Sequence, residues 1–244
     1  MEPTIFANPE IANAVIASPF SQFALAAGLA WASGMRLYAV CFVLGALGYF
    51  QVLTLPGNLQ VLSNPWALGI SGALCAAEFI ADKVPGFDSL WDAVHTFIRG
   101  PGGAMLAALA VSNGANSELT QVMAAMIGGS LATGAHLTKA GTRALVNHSP
   151  EPFSNWTLSA IGDVASLGIV WLAWQHPVIF CVVLAAFIVF MVWAIPKLWR
   201  LIRGTFRRLH RFFSGNLNPK STDPVISASG GSKASLSDAG PGRN

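Results

Sequence analysis

The sequence predicts an all-helical, polytopic membrane protein, and three observations carry that expectation. Of its 244 residues 53% are hydrophobic and only 10% charged, where a soluble domain carries roughly a quarter. Six apolar stretches follow one another, most of them near the ~20 residues that one bilayer crossing requires. A strongly basic segment begins directly after the last of them, as expected on the cytoplasmic side of a membrane. A very oily soluble protein is the disfavoured alternative on composition.

The apolar units occupy residues 18–52, 66–82, 89–112, 118–147, 156–174 and 177–200. Breakers separate them: Leu55-Pro56-Gly57, Asn64-Pro65, Val84-Pro85-Gly86, Ser149-Pro150-Glu151-Pro152 and His176-Pro177. The first and fourth units exceed one span and are interrupted by Ser33-Gly34 and Ala140-Gly141. Each is expected to be a broken helix or a tight pair of short ones, giving six units or eight helical pieces.

Residues 1–17 read as an N-terminal extension, 18–112 and 118–196 as two membrane halves, 197–213 as an interfacial helix and 214–244 as a disordered cytoplasmic tail. The interfacial helix places Lys197, Arg200, Arg203, Arg207, Arg208 and Arg211 among Leu198, Trp199, Leu201, Ile202, Phe206, Leu209, Phe212 and Phe213. A basic amphipathic helix of this kind lies in the headgroup layer and meets anionic lipid. Its partner is the bilayer; nucleic-acid binding is not expected, because membrane attachment explains the same pattern. Residues 1–196 hold five basic and nine acidic side chains, whereas 197–244 hold nine and two. That asymmetry predicts a cytoplasmic C-terminus.

Two stretches suggest an internal repeat. "AAGLAWASGMRLYAV" (26–40) aligns with "ATGAHLTKAGTRALV" (132–146), bringing Gly34-Met35-Arg36 onto Gly141-Thr142-Arg143. "NPWALGISGALCAAEFI" (64–80) then aligns with "SNWTLSAIGDVASLGIV" (154–170) through Trp66 and Trp156, Leu68 and Leu158, and Gly72 and Gly162. Three crossings per half would invert the second copy, and inverted repeats with broken helices build a binding site where their half-helix ends meet. Arg36 and Arg143 would approach that site from opposite sides.

Charges inside apolar segments are costly, so those present become candidates for function. "EFIADKVPGFDSLWDAVHTFIRG" (78–100) puts Glu78 and Asp82 one turn apart before a Pro-Gly turn, and Asp92, His95 and Arg99 on one face after it. Asp82, Lys83 and Asp88 are expected to flank a wet turn, Asp88 as a helix N-cap. Glu78 and Asp92 lie deeper, and Asp92 with His95 has the spacing of a local carboxylate–imidazole pair. Asp163 stands midway along the fifth unit and needs a cation, with Lys139, Arg143 and Arg36 available. The candidate substrate-binding set is therefore Arg36, Arg143, Asp163, Glu78, Asp92 and His95. A metal set of Glu78, Asp82, Asp92 and His95 has no diagnostic spacing, so no metal or other cofactor is expected.

Cys41, Cys75 and Cys181 lie in apolar runs and read as small core residues. No removable signal peptide precedes the first unit. There is no phosphate loop, nucleophile elbow or zinc-protease motif, so an enzyme is not the expected class.

At "GLAWASGMRLYAV", "NPWALGISGALCAAEFIADKVPGFDSLWDAVHTFIR" and "TKAGTRALVNHSPEPFSNWTLSAIGDV" the chain resembles the bacterial integral-membrane family termed domain of unknown function 4126, over roughly residues 20–195. The resemblance implies an inner-membrane location and a multi-helix fold, and it assigns no site residues. The residues themselves point to a small transporter or channel for an anionic or phosphate-bearing solute at a polar mid-membrane site, because paired arginines suit such a ligand. The alternative is a non-transporting scaffold that binds lipid or a partner. Homo-oligomerisation is left open.

Overall fold

The computed structural model describes residues 18–84, 87–111, 117–146 and 152–215; the N-terminal extension and nearly all of the tail lie outside the described residues. The described chain is all helical, with no strand. Its helices are α1 (Pro19–Tyr49), a 3-10 turn (Gly57–Ser63), α2 (Pro65–Ala81), α3 (Phe87–Ala110), α4 (Ser117–Val146), α5 (Pro152–Gln175) and α6 (Pro177–Gly215).

Local chemistry sets several of these boundaries. Ser18 caps α1 by accepting from the Ser21 amide at 3.1 Å, and Asn64 caps α2 by accepting from the Trp66 amide at 2.9 Å. Each cap is followed by proline at the first helical position, where its missing N–H costs nothing. Gly57, at φ 61°, adopts the left-handed conformation that starts the 3-10 turn.

The expected interruption of the first unit is present. It falls at Arg36, whose φ of −146° and ψ of 70° are non-helical, and divides α1 into two arms. Both arms lead from Arg36 toward the C-terminal end of α5. Gly28, on the first arm, lies against Ala173 and Phe180. On the second arm, Leu44 and Leu47 line a cavity of about 190 Å³ with Trp171, Trp174 and Gln175. The corresponding interruption of the fourth unit does not form: α4 is helical throughout Ser117–Val146, Ala140 and Gly141 included. Glycine within a helix is tolerated where its neighbours pack, so Ala-Gly alone does not end one.

Glycines let α1, α3 and α4 approach backbone to backbone. A Cβ at Gly34 or at Gly103 would collide with Ala132, and one at Gly128 would collide with Ala107. α6 packs more loosely, through Phe187 stacked on Trp31 at 4.2 Å between ring centroids. It is helical over Pro177–Gly215, with Pro196 inside it. Within it, the Lys197 ammonium sits 3.5 Å above the Trp193 ring and Arg200 donates to the Pro196 carbonyl at 3.3 Å. The side chains of Arg203, Arg207, Arg208 and Arg211 lie outside the described set.

Among the described residues, two helices are long and apolar enough to cross a membrane, Pro19–Tyr49 with mean hydropathy 1.4 and Pro177–Lys197 with mean hydropathy 3.1.

Candidate functional site: a buried arginine–carboxylate network

Ionisable side chains from α1 to α5 meet in one buried cluster. It lies nearer the end of the bundle where α2 gives way to α3 and α4 to α5. Asp82 follows the last residue of α2, Asp88 is the second residue of α3, and Arg143 lies three residues before the end of α4. Although Arg36 is near the middle of α1 in sequence, the bend makes it an apex pointing into this end.

Asp82 is the hub. Its Oδ1 accepts from Arg143 Nη1 at 2.9 Å and its Oδ2 is paired with Arg36 Nη1. Ser159 adds a donor to Oδ2 at 3.2 Å while its Oγ accepts from Arg36 Nη2 at 2.7 Å. Arg143 Nη1 also donates to Asp92 Oδ2 at 2.8 Å, and its Nε lies 3.9 Å from Asp88. Glu78 Oε1 is paired with Arg99 and lies 3.6 Å from Arg36 and 3.9 Å from Lys139. Asp163 Oδ1 completes the cluster at 2.5 Å from Arg36 Nε.

Two cations also close the bend. Interrupting a helix strips its last carbonyls of their amide donors. Arg99 Nη1 donates to the Gly34 carbonyl at 3.3 Å and Lys139 Nζ to the Met35 carbonyl at 2.9 Å. Positive charge at a helix C-terminus is favourable, so the break and the cations stabilise each other.

Histidine roles follow from the same accounting. Arg99 Nη1 donates to His136 Nδ1 at 3.0 Å, so that nitrogen carries a lone pair and the proton is on Nε2. His136 Nε2 then faces the Asp92 carbonyl at 3.0 Å, and His136 is neutral. His95 Nδ1 donates to the Trp91 carbonyl at 2.7 Å and its Nε2 meets the Tyr38 hydroxyl at 3.0 Å.

Of the six residues expected at the site, Arg36, Arg143, Asp163, Glu78 and Asp92 converge. His95 is buried beside the network and bonded elsewhere, so the expected Asp92–His95 pair is corrected: an i+3 spacing permits contact, but the Trp91 carbonyl one turn back captures the imidazole. Asp82 and Asp88 are likewise not at a wet turn, both being fully buried. Asp88 Oδ1 accepts from its neighbour's amide at 2.6 Å inside the first turn of α3. The missed members are Asp82, Asp88, Arg99, Lys139 and Ser159. For Asp82 the signal was its i+4 spacing from Glu78, outweighed by the adjacent Pro-Gly. Among the described residues no group could hold a metal ion, and Asp82 and Asp92 instead bracket Arg143.

Chemically, the cluster is a set of guanidinium groups already neutralised by carboxylates, closed to solvent except at one edge. Glu78, Asp82, Asp88 and Asp92 are at most 4% exposed, whereas Asp163 is 34% exposed. Some buried polar atoms make no aligned hydrogen bond, among them Glu78 Oε2 and Arg36 Nε.

No curated protein and no solved structure matches the chain. The family described as Domain of unknown function (DUF4126) matches residues 23–197, which spans the bundle and every member of the network. The chain belongs to that family.

Proposed function

We propose that the protein is a polytopic inner-membrane protein whose network binds and passes a small anionic or phosphate-bearing solute. The membrane part of this reading is supported by an inside-out distribution of polarity. Six network residues are at most 2% exposed, while Trp66, Phe97, Val164 and Val189 are 71–81% exposed. Water would not tolerate so many large apolar side chains outside, whereas lipid does. α6 makes the same point, since its apolar span is only 11% buried.

Charge supports an orientation. All 14 Lys and Arg residues belong to the network, to the 82–86 connection or to the chain from Lys197 onward. The connections at the opposite end, 50–64, 111–116 and His176, have none. By the positive-inside rule the network end and the C-terminus are cytoplasmic. In this arrangement α1 enters from the far side, bends at Arg36 and returns, and α2 to α6 cross.

The solute-binding part rests on one observation: Arg36 sits at a helix break, as in transporters with interrupted helices, and its one exposed partner is Asp163. The two-half reading also draws support here, because Arg36 and Arg143, matched in the sequence alignment, both reach Asp82. Uptake of radiolabelled phosphate and of small organic anions into liposomes containing the full-length protein tests the reading. Flux should be lost in a folded Arg36→Gln variant, and undiminished flux there would remove the network from transport. A scaffold is the second reading, favoured by the glycine-packed contact of α1, α3 and α4. Absence of flux for every anion in wild-type liposomes selects it.

A further inference from the structure

We propose that Asp163 is a built-in occupant of an anion site on Arg36, displaced when a phosphate-class oxyanion binds. The inference rests on the solute-binding reading and adds how that site is held closed. Three carboxylates surround Arg36: Glu78, Asp82 and Asp163. Two of them are committed elsewhere. Glu78 is paired with Arg99, and Asp82 with Arg143. Among the described residues, Asp163 is ion-paired with Arg36 alone.

Exposure separates the three in the same way. Glu78 and Asp82 are 1% and 0% exposed, so neither can leave Arg36 without crossing packed protein. Asp163, at 34%, already borders open space, and a Cβ built on the adjoining Gly162 meets nothing within 4 Å. Its carboxylate can turn outward.

The bond it would give up is poorly made. Asp163 Oδ1 is close to Arg36 Nε, yet Arg36 Nε is a buried donor with no aligned acceptor. A planar guanidinium favours an oxyanion that takes two of its N–H groups at once. An incoming oxyanion can take Nε with one oxygen and, by replacing Ser159 Oγ on Nη2, take that nitrogen with a second. Exchange of one carboxylate for one monoanion, dihydrogen phosphate or a phosphodiester, leaves the charge of the buried cluster unchanged, which avoids the cost of an uncompensated charge. The second arm of α1 also begins at Arg36, and a helix N-terminus favours negative charge.

The shared ligand chemistry is a phosphate oxyanion, supplied by free phosphate or by a lipid headgroup at the open edge. Two measurements on the full-length protein test it. In the first, inorganic phosphate is titrated into detergent-solubilised wild type, Asp163→Asn and Asp163→Ser by calorimetry, and the same proteins are compared in nanodiscs of phosphatidylglycerol and of phosphatidylcholine. Removing the occupant should tighten phosphate binding about tenfold, and Arg36→Gln in the same background should abolish the gain. A gain with free phosphate identifies a soluble ligand, and one confined to phosphatidylglycerol identifies a headgroup. An affinity unchanged in both media, or a gain that survives Arg36→Gln, overturns the proposal.

The second measurement needs only wild type. Carbodiimide-coupled amine labelling of Asp163, read by mass spectrometry, should rise severalfold on adding phosphate or phosphatidylglycerol, and an unchanged rate with both overturns the proposal. The transport reading fails separately: displacement of Asp163 without liposome flux keeps the occupant and removes transport, whereas flux with unaltered Asp163 labelling removes the occupant and keeps transport.

Discussion

Asp82 and Arg143, 61 positions apart, meet at 2.9 Å in the interior, and the other oxygen of the same carboxylate is held by Arg36. One side chain therefore ties the apex of α1 to the end of α4 through the end of α2. Its removal leaves two guanidinium groups short of a counter-charge.

Asp82→Asn should be among the most damaging isosteric changes in the chain. Breaking a buried pair by neutralising one partner costs about 3–5 kcal/mol, because the remaining charge stays buried. Denaturant unfolding of the purified protein in detergent measures it. A loss below about 1 kcal/mol would mean that Arg36 and Arg143 are already satisfied by Asp163 and Asp92.

Arg99→Lys tests the closure of the helix break. An ammonium can pair with Glu78, but it lacks the fork that reaches the Gly34 carbonyl and His136 Nδ1 as well. Loss of hydrogen bonds to a charged donor costs about 2 kcal/mol. Stability equal to wild type would show that one charge suffices and the fork does not matter.

Glycines in the helix contacts should respond oppositely to the same substitution. At Gly103 a Cβ would overlap Ala132 and lie 2.7 Å from Ser33 Oγ, so Gly103→Ala should destabilise by about 1–3 kcal/mol. At Gly162 and Gly168 a Cβ meets nothing within 4 Å, and alanine there should be neutral or stabilising by up to about 1 kcal/mol. Thermal unfolding of the three variants side by side distinguishes packing from propensity.

The proposed orientation predicts which positions a membrane-impermeant thiol reagent reaches in intact cells. In a background lacking Cys41, Cys75 and Cys181, Ser18→Cys and Gln51→Cys should both label from outside, since both arms of α1 lead to the far end. Thr142→Cys, exposed near the end of α4, should label only after permeabilisation. Labelling of Ser18→Cys and Gln51→Cys from opposite sides would mean that α1 crosses the membrane in place of returning.

What the sequence determined by itself is local. Hydropathy and Pro, Gly, Ser and Asn punctuation located the helices, with boundaries such as 66–82 against Pro65–Ala81 and 118–147 against Ser117–Val146. The rarity of charge in apolar surroundings nominated Arg36, Arg143, Glu78, Asp92 and Asp163, because such residues have to find one another. Tertiary structure decided the rest. Ser33-Gly34 and Ala140-Gly141 look alike in sequence, but only α1 breaks, where Arg99 and Lys139 arrive from other helices to satisfy the Gly34 and Met35 carbonyls. Asp82 beside Pro-Gly reads as a wet turn, yet cations from α1 and α4 enclose it. His95 reads as the partner of Asp92, yet Tyr38, 57 positions away, occupies its second nitrogen. Spacing along one helix states which neighbours a side chain can reach; which partner it takes is set by groups that only the packing of other helices brings near.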